Sequence, residues 1–550
     1  MKKTEMRKGF INIGLLLLSF LAWARAEGVE LFLSLSGESS GDQFGISVSE
    51  AGDVNGDGYA DFLVGADAND DGGTSAGKVY LYLGSYPPDA VPDLTFVGNP
   101  GDFLGVSLSC AGDVNGDGYS DVIIGAHFNS DAGLRAGRAC LYLGGPSMDS
   151  VPDLVFHGER EKDYFGISVS GAGDLNGDGY GDFVVGAYKY DLISGGDTLE
   201  NVGRAYVFFG GTDIDTLPDL ILTGETEGER FGRAVSGAGD LNGDGYDDLI
   251  IGAYGFDYQA NLNVGRAYVF FGGPDMDTLP DLILVGETAY SYFGWSLSGA
   301  GDLNGDGYSD VVVGAYGYSG ESGKVYVFYG GSPMDSIPDA QITFSWDSIR
   351  FGYSVAGAGD IDDNGYDDLV IGADGDDSGG ADAGKVYLYI SDGSGLTLDT
   401  AMVGGGSGYL LGYSVGGAGD VNGDGNGDFL AGAMGADSYS GKAFLYGIPG
   451  APSESNFIRG DVSGDFIVNP VDLVLTANYL YGGGFSPACL DAADLNDDGQ
   501  VNYSDLTYLS DFLYSGGPEP PSPYPGCGPD PTGDTLHCSS HPCGMPQRGR

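Results

Sequence analysis

"AGDLNGDGYDDLIIGAY", residues 238–254, decides how the rest of the chain is read. Asp240, Asn242 and Asp244 alternate and Gly245 follows, as at the start of an EF-hand loop. An EF-hand closes with a bidentate acid at position twelve. Counted from Asp240, position twelve is Ile251, whereas position nine is Asp248. Alternate residues of a tight loop can aim oxygens at one centre, and Gly245 relieves the turn where φ becomes positive. Nine residues therefore suffice. Asp240, Asn242, Asp244, the Tyr246 carbonyl and Asp248 make a set of hard oxygen donors, the chemistry of a Ca²⁺ site. Ile251 is left to pack in the strand that begins at Asp248.

The loop recurs. Copies start at Asp53, Asp113, Asp174, Asp240, Asp302, Asp360 and Asp420, at intervals of 58 to 66 residues. Seven copies at one period imply a radial or stacked array. The other expected ligand sets are Asp53, Asn55, Asp57, Tyr59 and Asp61; Asp113, Asn115, Asp117, Tyr119 and Asp121; and Asp174, Asn176, Asp178, Tyr180 and Asp182. They continue with Asp302, Asn304, Asp306, Tyr308 and Asp310, and with Asp420, Asn422, Asp424, Asn426 and Asp428. The sixth copy departs, with Asp360, Asp362, Asn364, Tyr366 and Asp368, but keeps three carboxylates. Position seven contributes a main-chain carbonyl. Asp, Asn and Gly also make turns without metal; the constant spacing is what argues for ligation.

Each copy predicts four strands. A Ser/Gly/Ala-rich segment such as "FGISVSGAGD" (165–174) suits a strand crowded near an axis. The acidic loop follows, then a run like "DLIIGA" (248–253), a variable loop, and "GRAYVFFG" (265–272), rich in aromatic and β-branched residues. Last comes "PDLILVG" (280–286), whose Pro suits an edge strand. Four strands per repeat make a propeller blade. The outer-strand segment precedes each loop, including "VELFLSLSG" (29–37) before the first, and none follows "GKAFLYG" (441–447). The N-terminal strand is thus expected to complete the seventh blade and remove an open edge.

Phe-Gly stands nine residues before the loop at Phe44, Phe165, Phe231, Phe293 and Phe351, with Leu104 and Leu411 substituting in two copies. Gly-Ala stands twelve after its start in all seven, from Gly65-Ala66 to Gly432-Ala433. This pattern resembles the FG-GAP repeats of integrin α-subunit propellers. The resemblance implies an all-β, seven-bladed propeller over residues 27–449 with about seven Ca²⁺ ions in hairpin loops. It departs in lacking Pro after Gly-Ala. Function follows less directly, because unrelated proteins share such propellers.

The chain of 550 residues carries a net charge of −58. So acidic a protein is not a nucleic-acid binder. Yet it is 42% hydrophobic and 12% aromatic, so it folds, and its acid must be neutralised locally. Residues 1–26 read as a secretory leader: Lys2, Lys3, Arg7 and Lys8, then an apolar run, then "AWARA" as a small-x-small cleavage site. Export is expected, without a membrane span after cleavage.

Residues 450–456 read as a linker. "DVSGDFIVNPVD" (461–472) and "DLNDDGQVNYSD" (494–505) each carry an acid at position twelve and run into an amphipathic pattern. Leu473, Ala477 and Leu480 share one helical face, and Leu506, Leu509 and Leu513 another. This duplicated loop–helix, residues 457–516, looks like a type I dockerin. The resemblance implies ligands at Asp461, Ser463, Asp465, the Ile467 carbonyl, Asn469 and Asp472. In the second loop it implies Asp494, Asn496, Asp498, the Gln500 carbonyl, Asn502 and Asp505. Up to two further Ca²⁺ ions and a cohesin-like partner are implied. Pro470-Val471 and Tyr503-Ser504 stand where the familiar Ser-Thr recognition pair would, and a calcium-stabilised cap without a cohesin is the alternative. Residues 517–550 are rich in Pro, Gly and Cys. Cys489 of the module with Cys527 of the tail, and Cys538 with Cys543, are candidate disulfides, while His537 and His541 offer a soft-metal alternative. Cys110 and Cys140 fall on first and third strands of one blade, so no bond is expected.

Strand order places the calcium loops on one face with the third-to-fourth-strand turns. The opposite face carries the loops after Gly-Ala and before Phe-Gly. In integrins, by the resemblance, that is the ligand side. Tyr188, Tyr190, Tyr254, Phe256, Tyr258, Tyr316 and Tyr318 fall in its loops, a candidate aromatic patch for an extracellular protein or a glycan. The alternative is that these loops fold on themselves. No catalytic set is evident, so a non-enzymatic adhesion or binding module is expected. A polysaccharide-degrading enzyme, or an accessory part of a cellulosome-like complex, is the alternative, with Glu159, Glu161, Glu225 and Glu287 as weak acid/base candidates.

Overall fold

The computed structural model describes residues 28–194, 197–344, 348–449, 470–477, 479–480, 490–496 and 500–515. The expected leader, linker and C-terminal tail, with its cysteine and histidine pairings, lie outside the described residues.

Seven four-stranded antiparallel sheets follow one another around an axis. The first consists of Val48–Gly52, Asp61–Ala66, Lys78–Tyr82 and Leu94–Val97, paired in that order from axis to rim. The seventh consists of Leu411–Gly419, Asp428–Ala433 and Lys442–Gly447, and its outer strand is Glu30–Ser36. Leu33 lies opposite Leu445 and Leu35 opposite Ala443. The ring is closed by its own N-terminus, as expected, and no edge is left where the blades meet.

Each strand's composition fits its place. First strands line a central channel of about 640 Å³, and only small side chains allow seven of them to converge. Second strands such as Asp248–Ala253 are buried along their whole length, because neighbouring blades cover both faces. A register shift sits just before the acidic loop in six blades, for example between Gly237 and Gly239. This bulge swings the acidic loop off the strand end. The Phe of each Phe-Gly is buried edge-on against the third-strand Tyr of its blade: Phe44 on Tyr80, Phe231 on Tyr268, Phe293 on Tyr326. In blade two both partners shrink, Leu104 meeting Cys140 in the same core cluster. That explains the buried Cys140. It and Cys110, which faces the channel, are free thiols.

Candidate functional site: calcium loops and the opposite face

In the fourth blade Asp240 Oδ1 accepts the Gly243 and Asp244 N–H groups at 2.7 and 3.1 Å, and Oδ2 accepts Gly245 at 2.9 Å. Asn242 Oδ1 accepts Asp244 N–H, and Asp244 Oδ1 accepts Tyr246 N–H. Asp248 is buried, and its two oxygens accept Leu241 N–H at 2.8 Å and Gly272 N–H at 2.7 Å. Position nine thus clamps the loop to the neighbouring third-to-fourth-strand turn. Asp61, Asp121, Asp182, Asp310 and Asp368 repeat this double clamp. Burial pushes each of these carboxyls up to about 7, with the position-one and position-five acids adding to the shift in most blades. Asp428 goes to about 8. Its blade is closed by the N-terminal strand and has no such turn, and Asp428 Oδ1 finds no hydrogen-bond partner.

The residues fit a divalent cation. Asp360, Asp362 and Asp368 place carboxylate oxygens within 4.8 Å of one another. No Lys or Arg occurs in any of the seven loops to neutralise them. Asp53, Asp113, Asp174, Asp302 and Asp420 each cradle loop N–H groups as Asp240 does.

The loops are also joined to one another. The position-eight N–H of each donates to the position-one carbonyl of the preceding blade: Ser120 to Asp53, Ser309 to Asp240, and Ala60 to Asp420 across the closure. The Tyr at position seven covers the Gly at position four of the preceding loop. A Cβ placed on Gly56 would lie 2.6 Å from the Tyr119 ring, and the pairs Gly116–Tyr180, Gly177–Tyr246, Gly243–Tyr308, Gly305–Tyr366 and Gly423–Tyr59 repeat this contact. One junction breaks the rule on both sides at once: Asp363 replaces the Gly and Asn426 the Tyr. The simultaneous loss was the sequence signal that these two positions touch.

The opposite face divides the expected aromatic residues. Tyr188, Tyr254 and Tyr316 join a surface that also includes residues not anticipated. Tyr254 packs on Trp295 and Tyr292, Tyr316 stacks on Tyr292 at 5.2 Å, and Trp295, Tyr316 and Tyr413 surround Tyr353. Tyr188 stacks on Tyr164, which leads to Phe128 and His127. The other four expected residues do not join this surface. Tyr190 is buried, at 2% exposure, beneath Arg204 and Arg160. Phe256 lies under Arg266 with Tyr258 beside it, and Tyr318 lies under Lys324. The physical reason is the position two residues after the first Tyr, where the loop turns down onto the head of the third strand. Within the longest loop Leu192–Ser194 pairs with Asp197–Leu199, so this loop does fold on itself.

The missed signal is the residue directly after Phe-Gly. Ile46, Val106, Ile167, Arg233, Trp295, Tyr353 and Tyr413 occupy it in the seven blades, and all seven line one depression of about 230 Å³ at the channel mouth. The head of every third strand is a cation, and most have a counterion: Lys78 with Glu38 and Asp71, Arg138 with Asp102, Arg204 with Glu159, Arg266 with Glu225 and Glu229, Lys324 with Glu287, Lys442 with Asp437. Lys385 lies over Tyr387. Three of the four acid/base candidates, Glu159, Glu225 and Glu287, are therefore counterions.

In the C-terminal region the helices Pro470–Ala477 and Tyr503–Ser515 pack together. Asp494 and Asp505 are buried. Asp505 accepts N–H groups from Asn496 and Asn502, and Asn502 Oδ1 accepts Ser504 N–H. Gln500 is exposed. Asp461, Ser463, Asp465, Ile467, Asn469 and Asp498, and the Asp472 side chain, lie outside the described residues.

Six segments, 44–82, 105–138, 165–208, 231–270, 293–328 and 351–389, match the FG-GAP repeat model, and 459–513 match the dockerin type I domain. The chain is an FG-GAP repeat propeller carrying a dockerin type I domain. Blade seven, with Leu411 and Asn426 at the signature positions, is not among the matched segments. Integrin alpha-5 of Xenopus laevis is 38% identical over 239 residues, 42% of this chain and 21% of that one. Integrin alpha-IIb of Mus musculus is 40% identical over 167 residues, 30% and 16% respectively. Integrin alpha-V of Gallus gallus is 33% identical over 224 residues, 39% and 20%. The match thus spans about a fifth of these relatives' length. Calcium binding accords with both the FG-GAP and the dockerin families. Among the described residues no helix is long and apolar enough to cross a membrane.

Proposed function

We propose that this FG-GAP propeller is an extracellular, calcium-loaded binding or adhesion module, assembled into a larger complex through its dockerin domain. In this reading each nine-residue loop holds one Ca²⁺, and the C-terminal module holds up to two. The observation that carries it is the polarity of the two faces. One is a stitched ring of acidic loops without a cation side chain, which is a structural role. The other carries the half-buried aromatic surface around Trp295 and Tyr316, which has amphipathic rings and no regular repeat to explain it. Localisation outside the cell is supported by the leader and by the integrin-like and dockerin relationships.

The test is a glycan and extracellular-protein array probed with the full calcium-loaded chain and with Trp295→Ala, followed by a hydrolysis assay on every hit. A ligand lost on substitution is expected. Turnover of a bound glycan would overturn the non-enzymatic reading. A cohesin panel tests the assembly arm, and failure to capture any member would leave the module as a cap only.

A further inference from the structure

We propose that the face opposite the calcium loops binds an anionic polysaccharide, with acid groups held by Arg135, Lys189, Arg230 and Arg233 and sugar rings laid along the aromatic side chains between them. This rests on the binding reading above and specifies its ligand.

Charge pairing sets these four residues apart. Fourteen Lys and Arg fall in residues 28–449. Seven are the third-strand heads described above, six with a counterion and Lys385 held over Tyr387 of its own strand. Arg350 pairs with Asp374 and Asp382, and Arg160 donates to the Asp191 carbonyl. The remaining five, Arg135, Lys162, Lys189, Arg230 and Arg233, like Arg160 and the strand-head Lys385, have no carboxylate within ion-pair reach among the described residues. In a chain with 80 acidic residues that is a selective omission. Lys162 is simply exposed. Each of the other four lies over a ring: Arg135 on Phe128 at 4.6 Å, Lys189 on Tyr164 at 4.5 Å, Arg230 on Tyr254 at 5.1 Å, Arg233 on Trp295 at 4.6 Å. Ring faces hold the cations in place without neutralising them.

Three of the four cations also converge. They come from blades two, three and four, yet the rings under Arg135 and Lys189, Phe128 and Tyr164, both pack on His127 at 4.0 and 5.9 Å, and burial, with Arg233, Arg135 and Lys189 adding, pulls His127 down to about 3. His127 Nδ1 is buried without a hydrogen-bond partner. A neutral imidazole with an open polar atom, ringed by three unpaired cations, is a setting that favours an anion. The rings beneath the cations form two runs, Phe128–Tyr164–Tyr188 and Tyr254–Trp295–Tyr353, which suit a polymer better than one small ion. Flat, half-buried rings present apolar faces beside polar edges, which matches the C–H faces and hydroxyl edges of a sugar better than an acidic peptide. A net charge of −58 repels polyanions everywhere else on this protein, so any binding it shows is local.

The experiment uses the full chain with calcium held constant. Its probes are oligogalacturonate, a hyaluronan oligomer, a neutral cello-oligosaccharide and poly-glutamate. The expected result is binding of the acidic sugars, weakened about tenfold or more by Arg233→Gln and by Lys189→Gln. Rising NaCl should weaken it too, while the melting temperature of each variant stays at the wild-type value. Equal affinity for the neutral sugar, equal affinity for poly-glutamate, or unaltered binding by both variants would overturn the proposal. If no acidic sugar binds while the array above yields another ligand, this inference falls and the binding reading stands.

Discussion

At Gly56 and Tyr119 a single side-chain contact joins two blades. Gly58, two residues on, shares the left-handed backbone but not the contact. It has φ +93° with open space where a Cβ would stand, whereas Gly56 has φ +78° and a Cβ there would press on the Tyr119 ring. Gly58→Ala should cost about 1–2 kcal/mol for its left-handed backbone alone. Gly56→Ala should cost about 1–3 kcal/mol more for the overlap. Urea unfolding of the two variants in calcium measures the difference, and equal losses would show that the ring gives way freely. The junction between Asp363 and Asn426 needs no such fit, since neither Gly nor Tyr is present. Of the calcium-loop geometry, the alternation of oxygens was plain in the sequence. The clamp from Asp248 to Gly272 was not, because it joins residues 24 apart across a turn whose direction only the folded blade defines.

Among the elements, the strand Glu30–Ser36 carries the most consequence, because it supplies the fourth strand of the last blade and so ties the first residues of the propeller to the last. Leu35 is buried at 2% exposure, opposite Ala443. Leu35→Ala should destabilise by about 2–4 kcal/mol, read from the same urea unfolding. A substitution in an outer strand interior to the ring should disturb one blade, whereas loss of Glu30–Ser36 should open the circle and destroy the single cooperative transition. Calorimetry of a chain lacking residues 28–37 checks this; one sharp transition at the wild-type temperature would show that closure is dispensable. Strand identity was legible because small residues, aliphatic runs and Tyr-rich segments recur in fixed order. The variable loops were less so. Tyr188 and Tyr190 look alike in sequence, yet one reaches the surface patch and the other is buried under Arg204.

Over the whole molecule, repulsion between carboxylates is the main force working against the fold. Seven acidic loops sit on one face, linked through backbone hydrogen bonds from blade to blade, so none can move away without pulling on its neighbour. With a net charge of −58, removal of bound cations leaves the ring under strong self-repulsion. Excess EGTA should therefore lower the melting temperature by tens of degrees, and an unmoved melt would refute the structural role of calcium. In the chelated protein, raising NaCl should recover part of the loss by screening exposed carboxylates, with little effect on the melt of the calcium-loaded form.

The seven-fold period, the four strands per repeat, the loop acids and the N-terminal closure were determined by the sequence itself, since each depends on local spacing and alternation that repetition makes unambiguous. What only the tertiary structure decided are the contacts between blades: the Tyr–Gly pairs, the residue after Phe-Gly gathered at the channel mouth, and the separation of paired from unpaired cations. These residues stand one period apart in the chain. Their meeting is set by the angle and closure of the ring, a property of all seven blades packed together that no single repeat contains.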